Sequence, residues 1–228
     1  MSNIEVYIIV EGQTEQTFIR DILAPEMSYT GIFLYPTLLG KPGHKGGKIQ
    51  FDRAQKDIEK HLKQRNNTYV STMFDFFRID ADWPGKREIS DVTNSGRYLP
   101  AIDKARIVEN ATYNTINDIF SDYLPAQRFI PYIEMHEFEA LLFSNASILA
   151  SIIGVEESQI NLILDEHGEP EEINDGPETA PSKRLMNLKH DYRKVAMGKT
   201  ISEAIGVQAM RDKCKHFNAW LTKIEQLA

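Results

Sequence analysis

Residues Ile4 to Val10, IEVYIIV, form an unbroken apolar and largely β-branched run that stops at Glu11-Gly12. Immediately after it, Phe18, Ile19, Ile22 and Leu23 recur at helical spacing. A strand that gives way to a helix across a two-residue turn is the opening of a β-α unit, and the pattern repeats. GIFLYPTLLG reads as a second strand, and FDRAQKDIEKHLKQR reads as its helix after the Gly-rich basic loop KPGHKGGK. Tyr69 to Phe77, YVSTMFDFF, reads as a buried third strand interrupted near its end by Asp75, with a Pro/Gly-containing loop to Arg97 and a helix from Tyr98 to Tyr123. Arg128 to Ile133, RFIPYI, gives a fourth strand that Pro131 places at an edge or a bulge, and MHEFEALLFSNASILASII continues as turn and helix. Strands separated by helices predict an α/β fold with a mainly parallel sheet and right-handed crossovers, which brings the strand ends at Glu11, Asp75 and His136 to Glu139 to one sheet edge.

The chain carries 26 Lys and Arg against 33 Asp and Glu, a net charge of −7, but the charge is unevenly placed. Nine carboxylates and no Lys or Arg lie between Glu156 and Glu178, a tract that reads as a short helix and a mobile loop. Without it the balance is 26 basic against 24 acidic residues, so an acidic total does not exclude a phosphate-bearing partner. Basic residues exceed acidic ones by eight to three from Thr37 to Arg65 and by ten to four from Ser182 onward. No apolar run approaches the roughly 18 residues that cross a bilayer, and the first residues show no basic leader, so the expectation is a cytoplasmic protein with no membrane partner. The single Cys214 falls in an apolar stripe with Met210, Phe217, Leu221 and Ile224 that docks a last helix, and it reads as packing. No linker separates domains. The expected organisation is a core over residues 1–155, with the acidic loop and a basic helical extension over residues 156–228 packed on it.

Glu11 stands at a strand end beside a helix start, where anions and metal-bound phosphates are held, although a carboxylate offsetting the helix dipole explains it equally well. Thr14 and Glu15 read as capping. Asp75 would cost several kcal/mol if buried unpaired, which favours a strand-end position or a bound cation. Asp80 and Asp82 form a D-x-D pair that could offer two oxygens to Mg²⁺, but turn-capping Asp side chains in a loop explain the pair better. Glu137 and Glu139 share a face only if their segment is extended. His136 precedes Glu137, yet the zinc pattern H-E-x-x-H is missing because Ala140 stands where the second His belongs. Lys45 and Lys48 with His44 in the basic loop, and Lys183, Arg184, Arg193 and Lys194 with Tyr192 for stacking, could track a phosphate backbone. A solvated loop and a charged helix face are the ordinary readings of the same residues.

VEGQTE after the first strand, TMFDFF at the third and HEFEALLFS after the fourth, followed by APSKRL, YRK and the helix around Arg211, Cys214 and Phe217, resemble the Toprim-related family catalogued as domain of unknown function 4276. The resemblance covers nearly the whole chain. It implies a Toprim-like, Rossmann-like sheet in which a Glu and a D-x-D pair manage Mg²⁺ or Mn²⁺ in phosphoryl transfer, as in topoisomerases, primases and nucleases of the overcoming-lysogenization-defect type. Glu11 would be the motif Glu and Asp75 the first metal carboxylate. The position two after Asp75 is Phe77, so Glu137 is the expected second carboxylate, with Asp80 or Asp82 behind it. His136 would orient a carboxylate or the leaving group, while Lys45, Lys48, Lys183, Arg184 and Lys194 would neutralise phosphates. Because relatives are often encoded beside an ATPase in anti-phage loci, the resemblance implies a Mg²⁺-dependent endonuclease acting on DNA or RNA, the effector of a defence system with an ATPase partner. The alternative is a non-catalytic subunit that docks on the ATPase, and a homo-oligomer is compatible with either.

Overall fold

The computed structural model describes residues 3–40, 48–173, 176 and 178–228. The chain runs β1 (Ile4–Val10), α1 (Gln13–Phe18), a π-helical turn (Ile19–Leu23), α2 (Ala24–Ser28), β2 (Ile32–Leu38), α3 (Phe51–Gln64) and β3 (Thr68–Asp75). It continues through α4 (Lys86–Asn94), α5 (Ala101–Ile119), α6 (Pro125–Arg128), β4 (Phe129–Ile130) and β5 (Ile133–Glu134). A 3-10 turn (Phe138–Ser144), α7 (Ala146–Ile153) and α8 (Glu157–His167) follow, and α9 (Pro181–Leu188), α10 (Lys194–Ile205), α11 (Val207–Lys213) and α12 (Lys215–Glu225) complete the chain.

Among the described residues every strand pairing is parallel, in the order β2-β1-β3-β4, with β5 pairing the far end of β3. The sheet is therefore mainly parallel and flanked by helices. The two edges carry the prolines, Pro36 in β2 and Pro131 between β4 and β5, where a missing backbone donor costs least. Successive side chains of β1 serve opposite faces. Val6, Ile8 and Val10 join a core with α1, α7 and the helices after residue 155, whereas Ile9 joins Val70, Phe74, Ala54, Ile58 and Val108 in a second core under α3 and α5. Helices on both faces follow from strands that are apolar on both sides.

The helical C-terminal part completes the first core. Trp220 of α12 stacks on Tyr132 with ring centroids 4.3 Å apart, and its indole N–H donates to Ser71 Oγ at 2.9 Å. Cys214 is buried there, but it does not lie within the last helix: it is the extended residue between α11 and α12, so the Met210 to Ile224 stripe spans two helices.

Two further expectations are corrected. The segment before Arg97 is not all loop, because α4 follows directly on Gly85, whose φ of 87° suits glycine and whose Cβ position would lie 2.9 Å from the Ile107 carbonyl of α5. Trp83, packed on Phe51 and Phe74 and donating to Thr112 Oγ1 at 2.8 Å, fixes this segment to the core. The acidic tract is not a mobile loop through Glu172 either. Glu171 is buried and accepts the backbone N–H groups of His216 (3.0 Å) and Phe217 (2.9 Å), and Glu172 accepts the Ala101 N–H at 2.8 Å. These carboxylates cap the unsatisfied donors at the starts of α12 and α5. Asn174, Asp175 and Pro177 of the tract lie outside the described residues.

Removing the Glu171 carboxylate leaves two buried N–H groups without acceptors, so Glu171→Ala should cost on the order of 2–4 kcal/mol in urea unfolding, with Glu171→Gln intermediate. A loss below about 0.5 kcal/mol would show that this cap is dispensable.

Candidate functional site

The carboxyl edge of the sheet collects the candidate acids. Glu11 follows β1 directly, Asp75 is the last residue of β3, and Glu134, the last residue of β5, pairs with it in register. Beyond β5 the chain stays extended at Glu137 before entering the 3-10 turn that holds Glu139. Glu11, Glu15, Asp75, Glu137 and Glu139 are brought together there. Glu15, Glu11, Glu139 and Glu137 all act on Asp75, and together with burial, the larger cause, they raise its carboxyl pKa well above the usual range. Burial likewise lifts Glu15 and Glu139 to about 7 and raises Glu11, the last against the pull of Arg78.

Most of these carboxylates are anchored through one oxygen. Asp75 Oδ1 accepts the Phe138 N–H at 3.0 Å, Glu137 Oε2 accepts the Ser182 N–H in the first turn of α9 at 3.0 Å, and Glu15 Oε2 accepts the Gly12 N–H at 2.9 Å. Glu11 Oε1 receives the Arg78 Nε–H at 2.5 Å. Lys194, at the start of α10, reaches Glu139 Oε1 at 3.3 Å. Burial lowers the pKa of its ammonium, but Glu139 first, then Glu137 and Asp75, together outweigh that and raise it. Because its side chain is 43% exposed, this pairing is partly screened by solvent. Glu11 Oε2 and Glu139 Oε1 are buried with no hydrogen-bond partner among the described residues.

His136 is buried, and its Nδ1 lies 2.9 Å from the Ile173 carbonyl, an acceptor only, so Nδ1 carries a proton. Its Nε2 stands 3.4 Å from Lys104 Nζ, and its ring meets Phe76 edge-on. Asp80 stands apart from the cluster. It accepts from the Phe51 backbone at the start of α3, and burial and Asp82 raise its pKa, while Asp82 is exposed. Lys45 lies outside the described residues, and Lys48 and Lys183 are exposed. Arg184 is held by His167 Nε2 at 2.6 Å, the Thr179 carbonyl at 2.8 Å and Glu166 at 3.2 Å. Lys194 joins the carboxylates, and Tyr192 is buried rather than presented for stacking.

Glu15, Glu139, Arg78 and Tyr192 are site residues that the motif reading passed over or placed elsewhere. Glu15 had a visible signal in VEGQTE, because one helical turn returns its side chain to Gly12. Arg78 had none, since it comes from the turn after β3.

The donor types suit a hard cation: carboxylate oxygens, one of them (Glu11 Oε2) buried without a partner among the described residues and another (Glu139 Oε1) met only by the Lys194 ammonium, at an edge where burial disfavours charge. In the present arrangement, however, no group of three or more His, Cys, Asp or Glu side chains among the described residues is set to hold a metal ion. Arg78 and Lys194 supply the compensating charge.

This is an α/β protein with a mainly parallel sheet, a carboxylate cluster at the sheet's carboxyl edge and helices covering both faces. The chain belongs to the family described as a domain of unknown function (DUF4276), whose model matches residues 10–225. No curated protein and no solved structure matches it. Among the described residues no helix is long and apolar enough to cross a membrane.

Raised carboxyl pKa values mean that the folded state binds more protons than the unfolded chain, so their stabilising contribution is present below about pH 4.5 and is lost as pH rises through about 7. With chelator present, urea stability should fall by about 1–3 kcal/mol across this window, and Glu15→Gln with Glu139→Gln should flatten the fall. A wild-type slope unchanged by the double substitution would refute this origin.

Proposed function

We propose that the protein is a Mg²⁺- or Mn²⁺-dependent Toprim-like endonuclease that cleaves nucleic-acid phosphodiesters, as the effector of an anti-phage system with an ATPase partner. The observation that carries this reading is the gathering of Glu11, Asp75 and Glu137 with Glu15 and Glu139 at the carboxyl edge of a parallel sheet, where ligands of open α/β sheets bind. Glu11, Asp75 and Glu137 would hold the cation, and Arg78 and Lys194 would give way to it. Bound there, a divalent ion supplies positive charge to a phosphoryl oxygen and acidifies a water. His136, fixed through Nδ1, keeps Nε2 directed at Lys104, and in this reading the two would meet a phosphate or the leaving oxygen. Exposed Lys48 and Lys183 are free of any role in the core and would position the backbone of the strand.

The alternative, a non-catalytic subunit docking on the ATPase, is favoured by one observation, that no ready three-donor metal group stands among the described residues.

Purified protein incubated with plasmid, single-stranded DNA and tRNA in Mg²⁺ or Mn²⁺ should cleave at least one of them. Glu11→Ala and Asp75→Ala should each lower the rate at least 100-fold, about 3 kcal/mol of transition-state stabilisation. Activity surviving both substitutions would overturn the site, and no cleavage coupled with tight ATPase binding would establish the alternative.

A further inference from the structure

Two buried polar atoms on the α10 side of the cluster have no hydrogen-bond partner among the described residues: the Tyr192 hydroxyl and Glu139 Oε1. Tyr192 is 7% exposed and Glu139 2%, so bulk solvent does not satisfy either. They are complementary, a donor and an acceptor. Glu139 is the leading charge acting on Tyr192, followed by Glu137, yet the hydroxyl and the carboxylate do not bond directly. Both atoms lie on the α10 side of the cluster, and buried polar atoms that no protein group satisfies are where an ordered water sits, with two to four polar partners. Lys194 Nζ, 3.3 Å from Glu139 Oε1, provides a further donor. Gly198 of α10 faces the same hydroxyl: a Cβ there would stand 3.7 Å from it, so α10 places no side chain at that point.

We propose that Tyr192 is a positioning residue whose hydroxyl, with Glu139 Oε1, holds a water at the edge of the carboxylate cluster, and that this water is consumed in phosphodiester hydrolysis. The second half rests on the nuclease reading. In that step the water oxygen forms a new bond to phosphorus, and the P–O bond to the leaving strand breaks with its electron pair going to the leaving oxygen. One water proton ends on that oxygen, and the other stays with the new phosphate monoester.

Tyr192→Phe removes the hydroxyl and leaves the ring. The expected result is a 10- to 100-fold lower kcat with KM within about twofold, because only the attacking group is misplaced. The unfolding midpoint should stay close to that of the wild type, since the hydroxyl bonds no protein group and the ring packing is kept. A crystal structure of the wild type should show a water within about 3.2 Å of both Tyr192 Oη and Glu139 Oε1, and the variant should lack it. Wild-type kcat in the variant would overturn the hydrolytic role, and a Tyr192 hydroxyl bonded directly to a protein group would overturn the water site itself. If the wild type cleaves nothing, the nuclease reading and the hydrolytic role fall together, while the crystallographic comparison still decides the water site.

Discussion

The hydrogen bond from the Phe138 N–H to Asp75 Oδ1 ties the end of the central strand β3 to the turn that follows β5. An unpaired carboxylate at that depth would cost several kcal/mol. A backbone donor offsets the cost, and the turn thereby carries Glu137 and Glu139 toward Glu11. The same device recurs through the molecule. Glu137 receives the Ser182 N–H, Glu171 the N–H groups of His216 and Phe217, Glu172 that of Ala101, and Glu109 that of Ile133. Five of the 33 acidic residues thus accept backbone donors that begin a segment and have no partner within it.

Parallel strands add a second constraint. All of them end at the same edge, so acids placed after β1, at the end of β3 and after β5 are forced into one another's company. Backbone donors satisfy one oxygen each but supply no full positive charge. Arg78 and Lys194 do, and Lys194 only from a partly solvated position. The cluster is therefore electrostatically unfinished, which is the physical ground for the proposal that a cation and a phosphate-bearing substrate bind there. The groups that would bind a ligand are also the ones whose ionisation burial opposes, so the charge state of the cluster depends on pH.

The first three strands and the edge to which Glu11, Asp75 and Glu137 come were legible because apolar runs and their helical sequels are local patterns. The expected fourth strand over Arg128 to Ile133 is instead the end of α6 followed by the two short strands β4 and β5. α4 was not legible, because its start depends on the close approach of Gly85 to the carbonyl of Ile107, more than twenty positions along the chain. The acidic tract misled for a similar reason. A run of carboxylates reads as solvated unless the helix starts at Ala101 and Lys215 that Glu172 and Glu171 cap are already in place. Lys194 and Arg184 look alike as basic residues on helices, yet one reaches the acid cluster and the other is bound by His167 and Glu166.

By itself the sequence determined the β-α alternation, the apolar faces of β1 and β3, and the family, since these depend on the order and period of residues along the chain. Only the tertiary structure decided which charges meet. Glu15, Glu139, Tyr192 and Lys194 are drawn from three segments that touch only after α10 packs against α1 and the 3-10 turn, where Gly198 lies against Phe138 and Thr14. Burial depth and the direction of a side chain are properties of that packing, and they set the charge state of the site.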